Sequence, residues 1–230
     1  MKYVYEFIGT FFLMLTVGMT VLATNNAALW APFAIGSVMA VMVFAGGHIS
    51  GGHYNPAISL AAFLRKKLDL NDLLRYWAVQ FAACVAAALI VILFKGAPAE
   101  SPIELNAMKI LLMEFLFTFA LCFVMLNVST TNATAGNSYF GWAIGFTVLV
   151  GAYAIGPISS AALNPAVALG LSILNLNYWS NLLIYIVGSL LGGGAAALVV
   201  NAAHPGENGM IFGRNNLFES DKKKQQHKNK

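Results

Sequence analysis

Charge is what this chain has least of. From Phe7 to Leu64 there is not one Asp, Glu, Lys or Arg, and only 10% of the 230 residues are charged against 59% that are hydrophobic. The mean hydropathy is +0.72, far from the balance of a soluble domain, which leaves the bilayer as the solvent. Cysteine is scarce too. Cys84 and Cys122 sit inside apolar runs on different segments, so neither a disulfide framework nor a metal site has support, and both read as packing residues. The opening Met1-Lys2-Tyr3-Val4-Tyr5-Glu6 sets one basic residue and an acid beside the apolar run, a poor start for a cleaved signal peptide; the run reads as an uncleaved first helix. No nucleophile with its base, no metal cluster and no phosphate loop is visible. An enzyme is therefore not expected, and neither is a cofactor, a metal or a nucleic-acid partner.

What is there is a set of long apolar runs. They predict spans near 4–23, 31–48, 73–94, 107–128, 139–156 and 179–202. After the second and the fifth comes the same irregular element. The first copy is Gly46-Gly47-His48-Ile49-Ser50-Gly51-Gly52-His53-Tyr54-Asn55-Pro56-Ala57; the second is Gly156-Pro157-Ile158-Ser159-Ser160-Ala161-Ala162-Leu163-Asn164-Pro165-Ala166. Each ends in Asn-Pro-Ala and runs into about ten apolar residues. Asn is a good N-cap and Pro is tolerated at the first helical position, so each motif starts a short helix. Ten residues rise about 15 Å, half of the hydrocarbon core, and two such helices could meet end to end. A break at membrane depth is tolerated only where the backbone is buried in protein or lines a watery cavity.

The halves are an internal repeat. Sliding the sequence by 109 positions lays Ala34-Ile35-Gly36 on Ala143-Ile144-Gly145, Ile49-Ser50 on Ile158-Ser159, Asn55-Pro56-Ala57 on Asn164-Pro165-Ala166, and Tyr76 on Tyr185. A shift of 108 lays Glu6 and Thr10 on Glu114 and Thr118. Three full spans per half is an odd number, so the second half enters from the opposite side and the repeat is inverted. Lys2, Arg65, Lys66, Lys67, Arg75, Arg214 and the tail lysines fall on one side, and only Lys95 and Lys109 on the other. The first side, with both termini, is expected to be cytoplasmic.

With these features the chain resembles the aquaporin, or major intrinsic protein, family, and its bacterial members above all. The resemblance covers residues 1 to about 202 and rests on the two Asn-Pro-Ala motifs, the inverted three-span repeat, Glu6 and Glu114. It implies an all-α integral membrane fold of six transmembrane helices plus two re-entrant half-helices, assembled in the inner (plasma) membrane as a homotetramer with one pore per subunit. The expected channel domain is 1–203, with repeats at 1–96 and 107–203, followed by a polar cytoplasmic tail, 204–230, expected to be disordered.

Several residues then acquire expected roles. Two helix N-termini facing one another point both positive dipole ends at one spot, which repels a cation but not a neutral dipole. Asn55 and Asn164 would offer N–H donors to a solute there, while carbonyls of Gly51, Gly52, His53, Ser160, Ala161 and Ala162 would line the path as acceptors. Glu6 and Glu114 are ionisable groups inside apolar helices, which by default suggests a proton relay. The resemblance implies instead that they hold the re-entrant loops, with His48 and His53, which could otherwise sense pH, as hydrogen-bonded supports; Gln80 in the third span reads as a satisfied interhelical polar group that joins that support.

One departure stands directly after the second motif. Most family members carry Arg there, and this chain has Val167. Counting outward from each motif, the family's other outer-constriction positions fall on Ile35, Ala152 and Ala161. This filter reads Ile, Ala, Ala, Val: wide, apolar and without a fixed charge. The expected function is a passive channel for water and small uncharged solutes such as glycerol or urea. A proton-coupled secondary transporter and a non-conducting membrane scaffold are the alternatives.

Overall fold

The computed structural model of the chain describes residues 1–207 except 24, 97, 99 and 103. It contains eight α-helices: α1 (Lys2–Val21), α2 (Ala31–Ser50), α3 (Pro56–Leu64), α4 (Leu70–Lys95), α5 (Ala107–Thr130), α6 (Phe140–Ser159), α7 (Pro165–Ile173) and α8 (Leu182–Ala203). There is no strand among the described residues. Six of the helices are long and apolar enough to cross a membrane. The shortest of these has 20 residues, a rise of about 30 Å. The other two, α3 and α7, have nine residues each, half that span.

Most boundaries follow from local chemistry. Asp69 accepts a hydrogen bond from Asp72 N at 2.8 Å, which starts α4 three residues earlier than hydropathy predicts. Asn106 caps α5 in the same way through Lys109 N. α2 and α6 both stop where the next residue turns left-handed, Gly51 at φ 91° and Ser160 at φ 61°.

The packing obeys an inverted two-fold relation between α1–α4 and α5–α8. α1 packs on α4 as α5 packs on α8, α1 on α2 as α5 on α6, and α4 on α7 as α8 on α3, while α2 meets α6 across the axis. That last crossing is possible only without side chains. A Cβ on Gly145 would lie 2.4 Å from Gly36 O, and one on Gly36 2.7 Å from Gly145 O. Between helices that have no water to expel, such backbone contact is the main source of attraction. Facing outward are Phe12, Val41, Leu93, Leu116, Phe146 and Leu191, an apolar surface suited to lipid, with Trp30, Tyr139 and Trp179 exposed near helix ends where aromatic rings favour the interface.

At one end of the bundle a charge is buried. Arg65, directly after α3, is wholly inaccessible; its Nε donates to Thr130 Oγ1 at 2.9 Å, Nη1 to Asn201 Oδ1 at 3.1 Å and Nη2 to Glu207 Oε2 at 2.9 Å. Lys67 Nζ donates to Glu207 O at 2.6 Å. The C-terminal ends of α3, α5 and α8 are thus tied at one point. Residues 208–230 of the expected tail lie outside the described residues.

Candidate functional site

The N-termini of α3 and α7 meet inside the bundle. Asn55 Oδ1 accepts from Ala57 N at 2.8 Å and Asn164 Oδ1 accepts from Ala166 N at 2.9 Å, so each asparagine caps its own helix. With the oxygens so engaged, the amide nitrogens face the opposite half. Asn55 Nδ2 donates to Leu163 O at 2.8 Å, and Asn164 Nδ2 donates to Tyr54 O at 2.9 Å. Leu163 and Tyr54 are themselves related by the 109-residue shift, and both hold positive φ, 50° and 51°. One hydrogen of each amide remains beyond these bonds. Both positive helix ends are directed at the same place.

Two buried carboxylates hold the loops that lead there. Glu6 accepts from Ser50 Oγ (2.6 Å), His53 N (2.9 Å), Tyr54 N (2.7 Å) and Gln80 Nε2 (2.9 Å). Glu114 accepts from Ser159 Oγ (2.9 Å), Ala162 N (3.0 Å) and Leu163 N (2.6 Å). Neither is in an ion pair among the described residues. The neighbours differ between halves: His53 Nδ1 lies 3.2 Å from Ser59 Oγ, and Gln80 Nε2 reaches both Glu6 and Ser59. His48 is elsewhere. It is exposed near the end of α2, edge-on to Tyr5 with ring centroids 6.4 Å apart, and makes no hydrogen bond among the described residues. Its expected place among the hydrogen-bonded supports is therefore taken by residues that the motif reading passed over. These are Ser50, Ser159, Tyr76, whose hydroxyl donates to Ser50 O at 2.7 Å, and Trp77, whose Nε1 donates to Pro56 O at 3.0 Å. The repeat alignment of Ser50 with Ser159 was the available signal for the first two.

A cavity of about 310 Å³ runs from Val21, Ala28 and Pro32 to the asparagine pair. Ile35 from α2, Ala152 from α6, Ala161 from the second loop and Val167 from α7 all line it. So do Ser160 and Ala162, whereas Gly51, Gly52 and His53 are buried in the first loop and take no part in this wall. Among the described residues the polar side chains of the lining belong to Asn55, Ser160 and Asn164; the rest is apolar, and no charged residue among them faces the space. Leu13, Val17, Met39, Leu121 and Val148 complete the wall without having been marked by any motif. Cys84 and Cys122 are buried thiols on separate helices, away from it.

Comparison with known proteins agrees with this arrangement. A family model described as "Major intrinsic protein" matches residues 1–200. The chain is 35% identical over 209 residues to Aquaporin NIP1-1 of Oryza sativa subsp. japonica, covering 87% of this chain and 73% of that protein. It is 34% identical over 205 residues to Nodulin-26 of Glycine max, covering 83% and 74%. In fold it is similar to the X-ray structure of the aquaglyceroporin from Plasmodium falciparum, with a TM-score of 0.75 at 20% identity over 87% of this chain and 94% of that one. Sequence, helix arrangement and relatives together show that the chain belongs to the major intrinsic protein family.

Proposed function

We propose that this multi-pass membrane protein is a passive channel for water and small uncharged solutes. The observation that carries the reading is the meeting of two capped half-helices, cross-linked through Asn55 and Asn164, at the inner end of an open cavity. A solute oxygen arriving there finds the remaining amide hydrogens of both asparagines, while a cation meets two positive dipole ends. An uncharged hydrogen-bonding solute keeps partners along the way; stripping it without any would cost about 2–7 kcal/mol per polar group. Pro56, Ala57, Pro165 and Ala166 are assigned to fixing the helix starts; carbonyls of Ser160, Ala161 and Ala162 are assigned to the acceptor line of this cavity, and those of Gly51, Gly52 and His53 to its continuation beyond the asparagine pair.

Ile35, Ala152, Ala161 and Val167 are assigned to the outer filter. With no charged side chain in its wall among the described residues, solutes larger than water, such as glycerol or urea, are proposed to pass. Glu6 and Glu114 are assigned to loop support together with Gln80. The supporting observation is that their oxygens are occupied by donors from the loops they face, which leaves a proton relay without favour. The channel domain is taken as 1–203, with repeats 1–96 and 107–203 and a cytoplasmic tail from 204. A homotetramer in the inner (plasma) membrane with both termini cytoplasmic is the assembly proposed, as the family resemblance implies.

The test is stopped-flow light scattering on proteoliposomes with water, glycerol, urea and ammonia. Permeability above that of empty liposomes, with a low activation energy for water, is expected. Vesicles no more permeable than empty ones would overturn the channel in favour of a scaffold, and accumulation of a solute against its gradient would favour a coupled transporter.

A further inference from the structure

The two re-entrant loops match in backbone but not in how they are braced. In the first, Gly51 and Gly52 take φ of 91° and 62°, and a Cβ on Gly51 would stand 2.9 Å from His53 Nε2. The His53 ring occupies that place, edge-on to Tyr76 at 5.3 Å between centroids, and is tied through Ser59 to Gln80. The 109-residue shift puts Ser160 and Ala161 on the two glycines, Ala162 on His53, Ala168 on Ser59 and Ser189 on Gln80. His53, Ser59 and Gln80 are thus replaced by Ala, Ala and the shorter Ser, while Tyr76 keeps its counterpart in Tyr185. Yet Ser160 and Ala161 hold φ of 61° and 47°, a region that residues with a Cβ disfavour.

A different contact stands in the second loop. Ser160 Oγ donates to Asn177 Oδ1 at 2.8 Å, and Asn177, on the connection between α7 and α8, is only 3% exposed. Its Nδ2 is buried with no hydrogen-bond partner among the described residues, so the bond to Ser160 is the polar contact this amide makes there. Asn177 does not line the cavity, whereas Ser160 and Ala161 do. We propose that Asn177 is a positioning residue for the outer filter: by accepting the Ser160 hydroxyl it keeps Ser160 and Ala161 in the left-handed turn that sets the cavity wall beside Val167. This rests on the channel reading. Solutes larger than water touch more of that wall, so their passage depends on Asn177 more than that of water does.

The experiment uses the full chain in proteoliposomes, as parent, Asn177→Leu, Ser160→Gly and the double variant, with glycerol and water fluxes measured in parallel. Hydrogen exchange of the segment spanning 160–163 is followed on the same proteins in detergent. Asn177→Leu is expected to lose glycerol flux relative to water and to exchange about tenfold faster in that segment, the scale set by one net hydrogen bond. Ser160→Gly should keep the parent's exchange rate in that segment, because glycine takes this φ without a brace, and its own glycerol-to-water ratio is the reference for the double variant. The double variant should then match Ser160→Gly in both ratio and exchange rate, which a general loss of stability at Asn177 would not allow. An unchanged ratio and unchanged exchange in Asn177→Leu would overturn the proposal, as would a double variant that exchanges as fast as Asn177→Leu. A parent without flux would count against the channel itself, and the exchange rates would still decide the role of Asn177.

Discussion

Asn55 and Asn164 each bond to the residue that precedes the other: Asn55 Nδ2 to Leu163 O at 2.8 Å, Asn164 Nδ2 to Tyr54 O at 2.9 Å. The two half-helices are therefore stitched together by the same side chains that cap them. Each amide serves three ends at once, since its oxygen satisfies its own helix, one hydrogen binds the opposite loop, and one hydrogen is left over. A change at either asparagine has to disturb the junction as well as the donor.

Asn164→Asp shows this most directly. The carboxylate can still cap Ala166 N but cannot donate to Tyr54 O, and it sets a negative charge where two helix dipoles present positive ends. Sodium and proton leak measured on vesicles is expected to rise more than water permeability falls. A variant as tight to cations as the parent would place the exclusion step elsewhere.

At Glu114 the two oxygens have unequal work, Oε1 accepting from Ser159 Oγ and Ala162 N, and Oε2 from Leu163 N at 2.6 Å. Glu114→Gln keeps the first oxygen but turns an amide nitrogen toward a backbone N–H. An intermediate loss of stability is expected, with most of the permeability kept. Glu114→Ala leaves the Ala162 and Leu163 N–H groups unpaired, at about 1–3 kcal/mol for each that finds no water, while Ser159 Oγ keeps Ile155 O at 3.5 Å. Melting temperatures in detergent should fall in the order parent, Gln, Ala; abolished transport in a well-folded Gln variant would revive the proton relay.

Val167 lines the cavity and is 4% exposed. Val167→Arg would add a long cationic side chain to a wall that has no charge among the described residues, in a confined space where charge acts strongly. Glycerol and urea flux should drop more than water flux, and proton leak should decrease. If the ratio of solute to water permeability does not move, the filter lies at other residues.

The buried Arg65 depends on Glu207, whose side chain is 16% exposed. Glu207→Ala removes its counter-charge and is expected to cost about 1–3 kcal/mol, below the range for a wholly buried pair because solvent still reaches one partner. In an Arg65→Met background the same change should cost little. Thermal unfolding of the four proteins completes the cycle, and equal losses in both backgrounds would mean that the pair is not coupled.

The membrane setting, the six spans, the two half-helices and the inverted repeat were all legible in the residues. Hydropathy and helix starts are local properties, and a repeated motif reports its own register. Even the partners of Glu6 and Glu114 could be expected, although only through resemblance. What the residues could not convey was which side chains meet across long stretches of chain. The reciprocal bonds of Asn55 and Asn164 join loops 108 and 110 positions apart. Arg65, read only as one of the basic residues that mark the cytoplasmic side, is buried because α5, α8 and Glu207, 142 positions away, close over it. Ile35, Ala152, Ala161 and Val167 become one wall only when α2, α6, the second loop and α7 are packed. His48 and His53, five positions apart in one motif, part company for the same reason. α2 leaves His48 exposed near its end, and the loop after it buries His53.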